Sequence, residues 1–169
     1  MQSFTLRAGI SGHERAKTPP GVFTPAALHV ERSVSAAQAA GGTGGGKTYF
    51  ILTLIRALLQ TSAVLYILDP KNADLADLCT VLTNVYSRKE EIVQCITDFC
   101  TAMHERSADM KRMENYKTGE NYAYLGLFPQ FLVFDEYVAF MEMLTSRERE
   151  DVLNKLRQIV MLGRQAGVF

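Results

Sequence analysis

The chain has 169 residues, 47% of them hydrophobic and 21% charged, which is enough for one domain, or one domain with a tail, around a real hydrophobic core. Lysine plus arginine equals aspartate plus glutamate at 18 each, so the overall charge gives no basic footprint for nucleic acid; any DNA contact must come from a local positive surface or from several copies together. No apolar run reaches the roughly 18 residues of a membrane span, and the first residues lack the apolar core of a signal peptide, so the expected location is cytoplasmic with no membrane segment.

Residues 1–35 read as an irregular or disordered extension. Ser11-Gly12, Pro19-Pro20-Gly21 and Pro25 punctuate it, and only Ala26 to Val30 hints at order. A glycine-rich stretch, Gly41-Gly42-Thr43-Gly44-Gly45-Gly46-Lys47-Thr48, follows the small residues Ser35 to Ala40. Tyr49 to Gln60 (YFILTLIRALLQ) predicts a helix buried on most sides. Val64 to Leu68 (VLYIL), bounded by Thr61-Ser62 and Asp69-Pro70, predicts a strand buried on both faces of a parallel sheet.

Asn72 to Cys79 is a short helix candidate with Leu75 and Leu78 on one side. From Glu90 to Met113, apolar residues at Ile92, Ile96, Phe99, Met103, Met110 and Met113 keep a helical period. Its charges, Glu105, Arg106, Asp109, Lys111 and Arg112, are mixed in sign and read as a solvated face. Asn115 to Gly126 is a polar, tyrosine-bearing loop, and Phe131 to Phe134 is a second apolar strand ending in Asp135-Glu136. A last helix is expected from Arg147 to Leu162, burying Val152, Leu156, Ile159 and Val160, with Gly163 as its C-cap and Val168-Phe169 starting a further element. Strands alternating with helices predict an α/β fold with a parallel sheet.

Cys79, Cys95 and Cys100 are odd in number and lack the paired spacing of a zinc site, so they read as buried or half-buried thiols. His13, His29 and His104 are too scattered for a metal site or a catalytic triad.

Gly41 to Thr48 fits the phosphate-binding pattern G-x-x-x-x-G-K-[ST] at every fixed position. Glycines let backbone N–H groups wrap a phosphate without obstruction, and the helix that follows aims its positive end at the same place. The predicted cofactors are ATP and Mg²⁺. Gly41, Gly42, Thr43, Gly44, Gly45, Gly46, Lys47 and Thr48 are assigned to the nucleotide, with Lys47 reaching the β- and γ-phosphates and Thr48 ligating the metal. The second half of such a site is the acidic end of the apolar strand, where Asp135 is placed to hold Mg²⁺ and Glu136 to orient and deprotonate the attacking water. Lys47 and Glu136 are the expected catalytic residues. A water-activating glutamate with no evident arginine-rich lid favours hydrolysis over transfer to a small molecule. The alternatives are a nucleotide-binding remnant without hydrolytic activity, and a P-loop kinase or other small NTPase.

The series GGTGGGKTYF, LDPKNADLADL, FDEYVAF and IVMLGRQAG resembles the motor domain of the FtsK/SpoIIIE family of DNA translocases, and more narrowly the FtsK-like coupling proteins of conjugative transposons. The resemblance runs from about Ala40 to Phe169. It implies a P-loop NTPase with a RecA-like parallel sheet flanked by helices, working as a homo-oligomeric ring on duplex DNA beside conjugation machinery. It also places Asp69-Pro70-Lys71 near the site or a subunit boundary, and leaves the role of Arg164 open. The family's aliphatic strand before the glycine-rich loop is missing, and the family pattern continues beyond Phe169 into a core strand. The resemblance therefore implies a sheet incomplete at both ends: residues 36–169 as a partial, truncated motor domain, with a central gap and unpaired edges.

Overall fold

The structure is a computed structural model and describes residues 46–73 and 75–169. The expected N-terminal extension, and Gly41 to Gly45 of the glycine-rich loop, lie outside the described residues. Helix α1 (Gly46–Leu59) leads to strand β1 (Val64–Leu68), a short 3-10 turn (Ala76–Thr80) and strand β2 (Val85–Tyr86). Helix α2 (Lys89–Met110), strand β3 (Gln130–Phe134), helix α3 (Tyr137–Met143) and helix α4 (Ser146–Ala166) complete the order. The fold is α/β, as expected, and among the described residues three parallel strands run in the order β2-β1-β3.

The continuous apolar runs of β1 and β3 are explained by burial on both faces of the sheet. Leu65, Ile67, Phe131 and Val133 point to one face, where Ile55 and Leu58 of α1 and Leu75 cover them. Tyr66, Leu68, Leu132 and Phe134 point to the other, against Ile92, Ile96 and Phe99 of α2, Phe140 of α3, and Val152 and Leu156 of α4. Val64 pairs with Gln130 and Leu68 with Phe134, which brings the carboxyl ends of β1 and β3 side by side.

Several expectations need correction. Helix α1 buries only Ile55 and Leu58, while Tyr49, Phe50 and Leu59 are exposed. It meets the sheet with one side; Ile51 and Leu54 are only half-buried against that core, and with Phe50 they also border a groove. The helix expected over Asn72 to Cys79 is a later and shorter 3-10 turn. Asn72 adopts a left-handed conformation (φ 51), and the Asp69 carboxylate holds the amides of Ala73 and Ala76 at 2.8 and 3.1 Å, making a turn where a helix was expected.

Helix α4 passes through Gly163 and ends at Gly167, whose φ of 73° and amide bond to the Arg164 carbonyl close the helix. Gly163 is there for close approach, since a Cβ at that position would collide with the Val168 carbonyl. Val160, expected inside, is exposed, and Met113 lies beyond the end of α2. Arg106 is no solvated charge: its guanidinium donates to the carbonyls of Ala166 and Phe128, both at 2.6 Å, tying α2 to the end of α4.

Val168 makes a parallel bridge to Gln130 on the side of β3 away from β1. The Gln130 and Leu132 amides donate to Gly167 and Phe169, and the Phe169 amide returns to Gln130. Further along that side, the upper half of β3 borders a groove of about 740 Å³ between α1 and α4. The cysteines form no disulfide. Cys95 and Cys100 are buried and Cys79 is exposed, and burial pushes the Cys95 thiol up to about 12, which keeps it protonated and unreactive.

Candidate functional site

Three chain segments meet at the carboxyl ends of the strands, where open α/β sheets hold their ligands. Helix α1 brings Lys47 and Thr48 in its first turn, which contains no acidic residue to offset the positive end of the helix. Strand β3 brings Asp135 and Glu136. The Asp135 amide donates to the Leu68 carbonyl at 3.0 Å, extending the ladder one residue past β3 and fixing where the carboxylate points. Strand β1 brings Asp69-Pro70-Lys71.

Asp135 is 7% exposed, and its Oδ1 accepts the Glu136 amide at 2.9 Å. The same oxygen lies 3.4 Å from Lys47 Nζ. Lys47 Nζ donates to Glu136 Oε1 at 3.1 Å, and Lys71 Nζ lies 3.0 Å from the other carboxylate oxygen, Oε2. The sequence assigned Lys47, Asp135 and Glu136 to one site from opposite ends of the chain, and the structure brings them together. Thr48 is half-buried beside Lys47.

Electrostatics follow from the contacts. Hydrogen bonds from Lys71 and then Lys47 hold the Glu136 carboxyl below the usual carboxylate range. The hydrogen bond to Glu136 leads in raising Lys47, opposed by desolvation and helped by the charge of Asp135. Glu136 has a left-handed backbone (φ 50, ψ 39), which a side chain with a Cβ rarely adopts outside sites that need a particular orientation. That kink turns the chain from β3 into α3 and leaves the carboxylate at the rim.

The donor set fits a magnesium ion that arrives with a nucleotide. Asp135 and Thr48 offer two hard oxygen donors, the small share of protein ligands Mg²⁺ takes when phosphates and water supply the rest. Among the described residues no group of three or more His, Cys, Asp or Glu gathers into a self-sufficient metal site. His104 is engaged elsewhere, with its Nε2 2.8 Å from Gln158 Oε1.

Residues 30–162 match the FtsK/SpoIIIE family, beginning upstream of the glycine-rich loop and running through Asp135-Glu136 into α4. The chain belongs to the FtsK/SpoIIIE family. It is also 60% identical over 131 residues to the FtsK domain-containing protein YdcQ of Bacillus subtilis (strain 168), a match that covers 77% of this chain and 27% of that protein. The chain thus spans about a quarter of the length of this FtsK-domain relative. No solved structure matches the chain.

Lys71 is the site residue whose place sequence reasoning left open. Its motif, DPK, was visible next to a strand end, but contact with Glu136 depends on the β1–β3 register, which no local pattern encodes. Arg164 lies in the last turn of α4 and its carbonyl accepts from Gly167. Among the described residues no helix is long and apolar enough to cross a membrane.

Proposed function

We propose that this FtsK/SpoIIIE-family chain is the nucleotide-binding part of an ATP-driven DNA-translocase motor, residues 36–169 forming a partial motor domain that acts in conjugative transfer. The observation that carries the reading is Lys47, in the first turn of α1, set 3.4 Å from Asp135 and 3.1 Å from Glu136 at the end of a parallel strand. A lysine from the glycine-rich segment beside two acids at a strand end brings a phosphate-binding cation next to a candidate metal ligand and a candidate base, the parts that nucleoside triphosphate hydrolysis uses.

In this reading Gly41 to Gly46 and the amides opening α1 cradle the phosphates, Lys47 binds the β- and γ-phosphate oxygens, and Thr48 and Asp135 hold Mg²⁺. The metal, when bound, neutralises charge on the phosphoryl oxygens. Glu136 accepts a proton from a water molecule as the water oxygen bonds to the γ-phosphorus. The bond from that phosphorus to the bridging oxygen breaks, and ADP departs with the electron pair. Duplex DNA is the proposed partner, a homo-oligomeric ring the proposed working form, and conjugation machinery the proposed setting. The balanced net charge requires that DNA be met by a local positive surface or one created on assembly.

The test is ATP binding and phosphate release by the full chain, with and without duplex DNA, beside Lys47→Ala. Binding that Lys47→Ala abolishes and turnover that DNA stimulates are the expected results. Binding without turnover would leave the nucleotide-binding remnant as the correct description. Turnover that needs a small-molecule acceptor would make the chain a kinase. Equal binding by wild type and Lys47→Ala would end the nucleotide assignment.

A further inference from the structure

The Asp69-Pro70-Lys71 segment is held more firmly than an exposed loop requires. Asp69 is 1% exposed, and its Oδ2 accepts the amides of Ala73 and Ala76 while its carbonyl accepts the Asn72 amide at 3.0 Å. Its own amide donates to Tyr86 on β2 at 2.9 Å. Pro70 fixes the next φ. This bracing delivers Lys71, whose side chain is 55% exposed, from the end of β1 to the level of Glu136, just past the end of the neighbouring strand β3, since Leu68 is in register with Phe134.

The two lysines divide the Glu136 carboxylate between them, Lys47 on Oε1 at 3.1 Å and Lys71 on Oε2 at 3.0 Å. They differ in what else they can reach. Lys47 sits in the first turn of α1, directly after the glycine-rich loop, and a bound triphosphate competes with the carboxylates for its ammonium. Lys71 meets the other carboxylate oxygen from a braced turn at the end of β1.

We infer that Lys71 is a positioning residue: when Lys47 turns to the phosphates, Lys71 keeps hold of Oε2, so Glu136 stays aimed into the site with Oε1 released to take the water. This rests on the nucleotide reading above and deepens it. It makes the glycine-rich-loop lysine a reporter that changes partner on binding, and Lys71 the fixed anchor. A solvent-screened surface pair by itself contributes little to stability, so the decisive readouts are position and turnover.

The test uses the full chain labelled with ¹³C at the lysine ε-carbons, with Lys47→Arg and Lys71→Arg assigning two signals. In the nucleotide-free protein, Glu136→Gln should move both signals. Magnesium with a non-hydrolysable ATP analogue should move the Lys47 signal and leave that of Lys71 in place. In turnover, Lys71→Met should lower kcat about tenfold, as expected for a misaimed general base, with analogue affinity within about threefold of wild type. Lys71→Arg should recover most of the loss, and Lys71→Met should add nothing in a Glu136→Gln background.

A Lys71 signal unmoved by Glu136→Gln, or full kcat in Lys71→Met, overturns the inference while leaving the nucleotide site intact. Failure of wild type to bind the analogue overturns both. If the chain binds without turning over, the lysine signals alone decide.

Discussion

Glu136 combines three properties that rarely coincide by chance: a left-handed backbone, a cation on each carboxylate oxygen, and a buried aspartate immediately before it. The cations keep it ionised well below neutral pH in the nucleotide-free protein, the hydrogen bond from Lys71 being the largest single cause and that from Lys47 the next. An ionised carboxylate can take a proton from water, and its amide cannot. Glu136→Gln should therefore lower turnover by about 10² to 10⁴, the usual worth of a positioned general base. Nucleotide affinity should be kept or improved, because the substitution frees Lys47 from one competitor. Phosphate release and a fluorescent-nucleotide titration measure the two effects separately, and turnover equal to wild type would remove Glu136 from the chemistry.

At the scale of elements, helix α4 is fixed at both ends by devices that can be tested. Thr145 and Glu148 form a capping box, with the Glu148 carboxylate accepting from the Thr145 amide at 2.8 Å and lying 3.0 Å from Lys89 on α2. The Thr145 amide, then Lys89, pull the Glu148 carboxyl down to about 2. A depressed carboxyl stabilises the fold above its unfolded value of about 4.3 and loses that contribution as pH falls towards about 2. Glu148→Gln should thus melt below wild type at neutral pH, with the gap closing through that window; a gap independent of pH would mean the charge is irrelevant.

At the other end, Gly167 has φ 73, and a Cβ there would enter the Tyr122 ring. Gly167→Ala combines a left-handed penalty of about 1–2 kcal/mol with an overpacking cost of about 1–3 kcal/mol, so urea unfolding should show a loss of about 2–5 kcal/mol. Tyr122 also shows why this end was misplaced in the sequence. Gly163 and Gly167 both suit a helix terminus, and the choice falls to contacts with Val168 and Tyr122, which no periodicity displays. Strands β1 and β3 were legible because burial on two faces leaves continuous apolar runs, and α2 because its buried residues keep a helical period. Strand β2, only Val85-Tyr86, is too short to have a period. Lys47, Asp135 and Glu136 were legible because each sits at a strand or helix end marked by composition. The tie to Lys71 was not, because it depends on strand register.

For the molecule as a whole, the groove beside β3 has the largest physical consequence. Phe50 and Val138 are exposed at its margins, as are Val160 (66%) and Met161 (78%) along α4. Bordering them is the half of β3 past Leu132, whose outward backbone groups lie beyond the bridge that Val168 and Phe169 make. Apolar side chains next to a strand edge that no strand pairs among the described residues are a surface that favours self-association in solution. The balanced net charge supplies little repulsion to oppose it. Light scattering by the purified chain should therefore rise steeply with concentration. Placing a charge on the α4 wall, Met161→Lys, should reduce the rise. Because this side chain is already mostly exposed, unfolding stability should change by no more than about 0.5 kcal/mol. The control is Lys111→Gln, which likewise shifts the net charge by one unit but lies beyond the end of α2 and away from the groove. If that control suppresses association as well as Met161→Lys does, net charge is the cause; if Met161→Lys alone does so, the groove is where the copies meet.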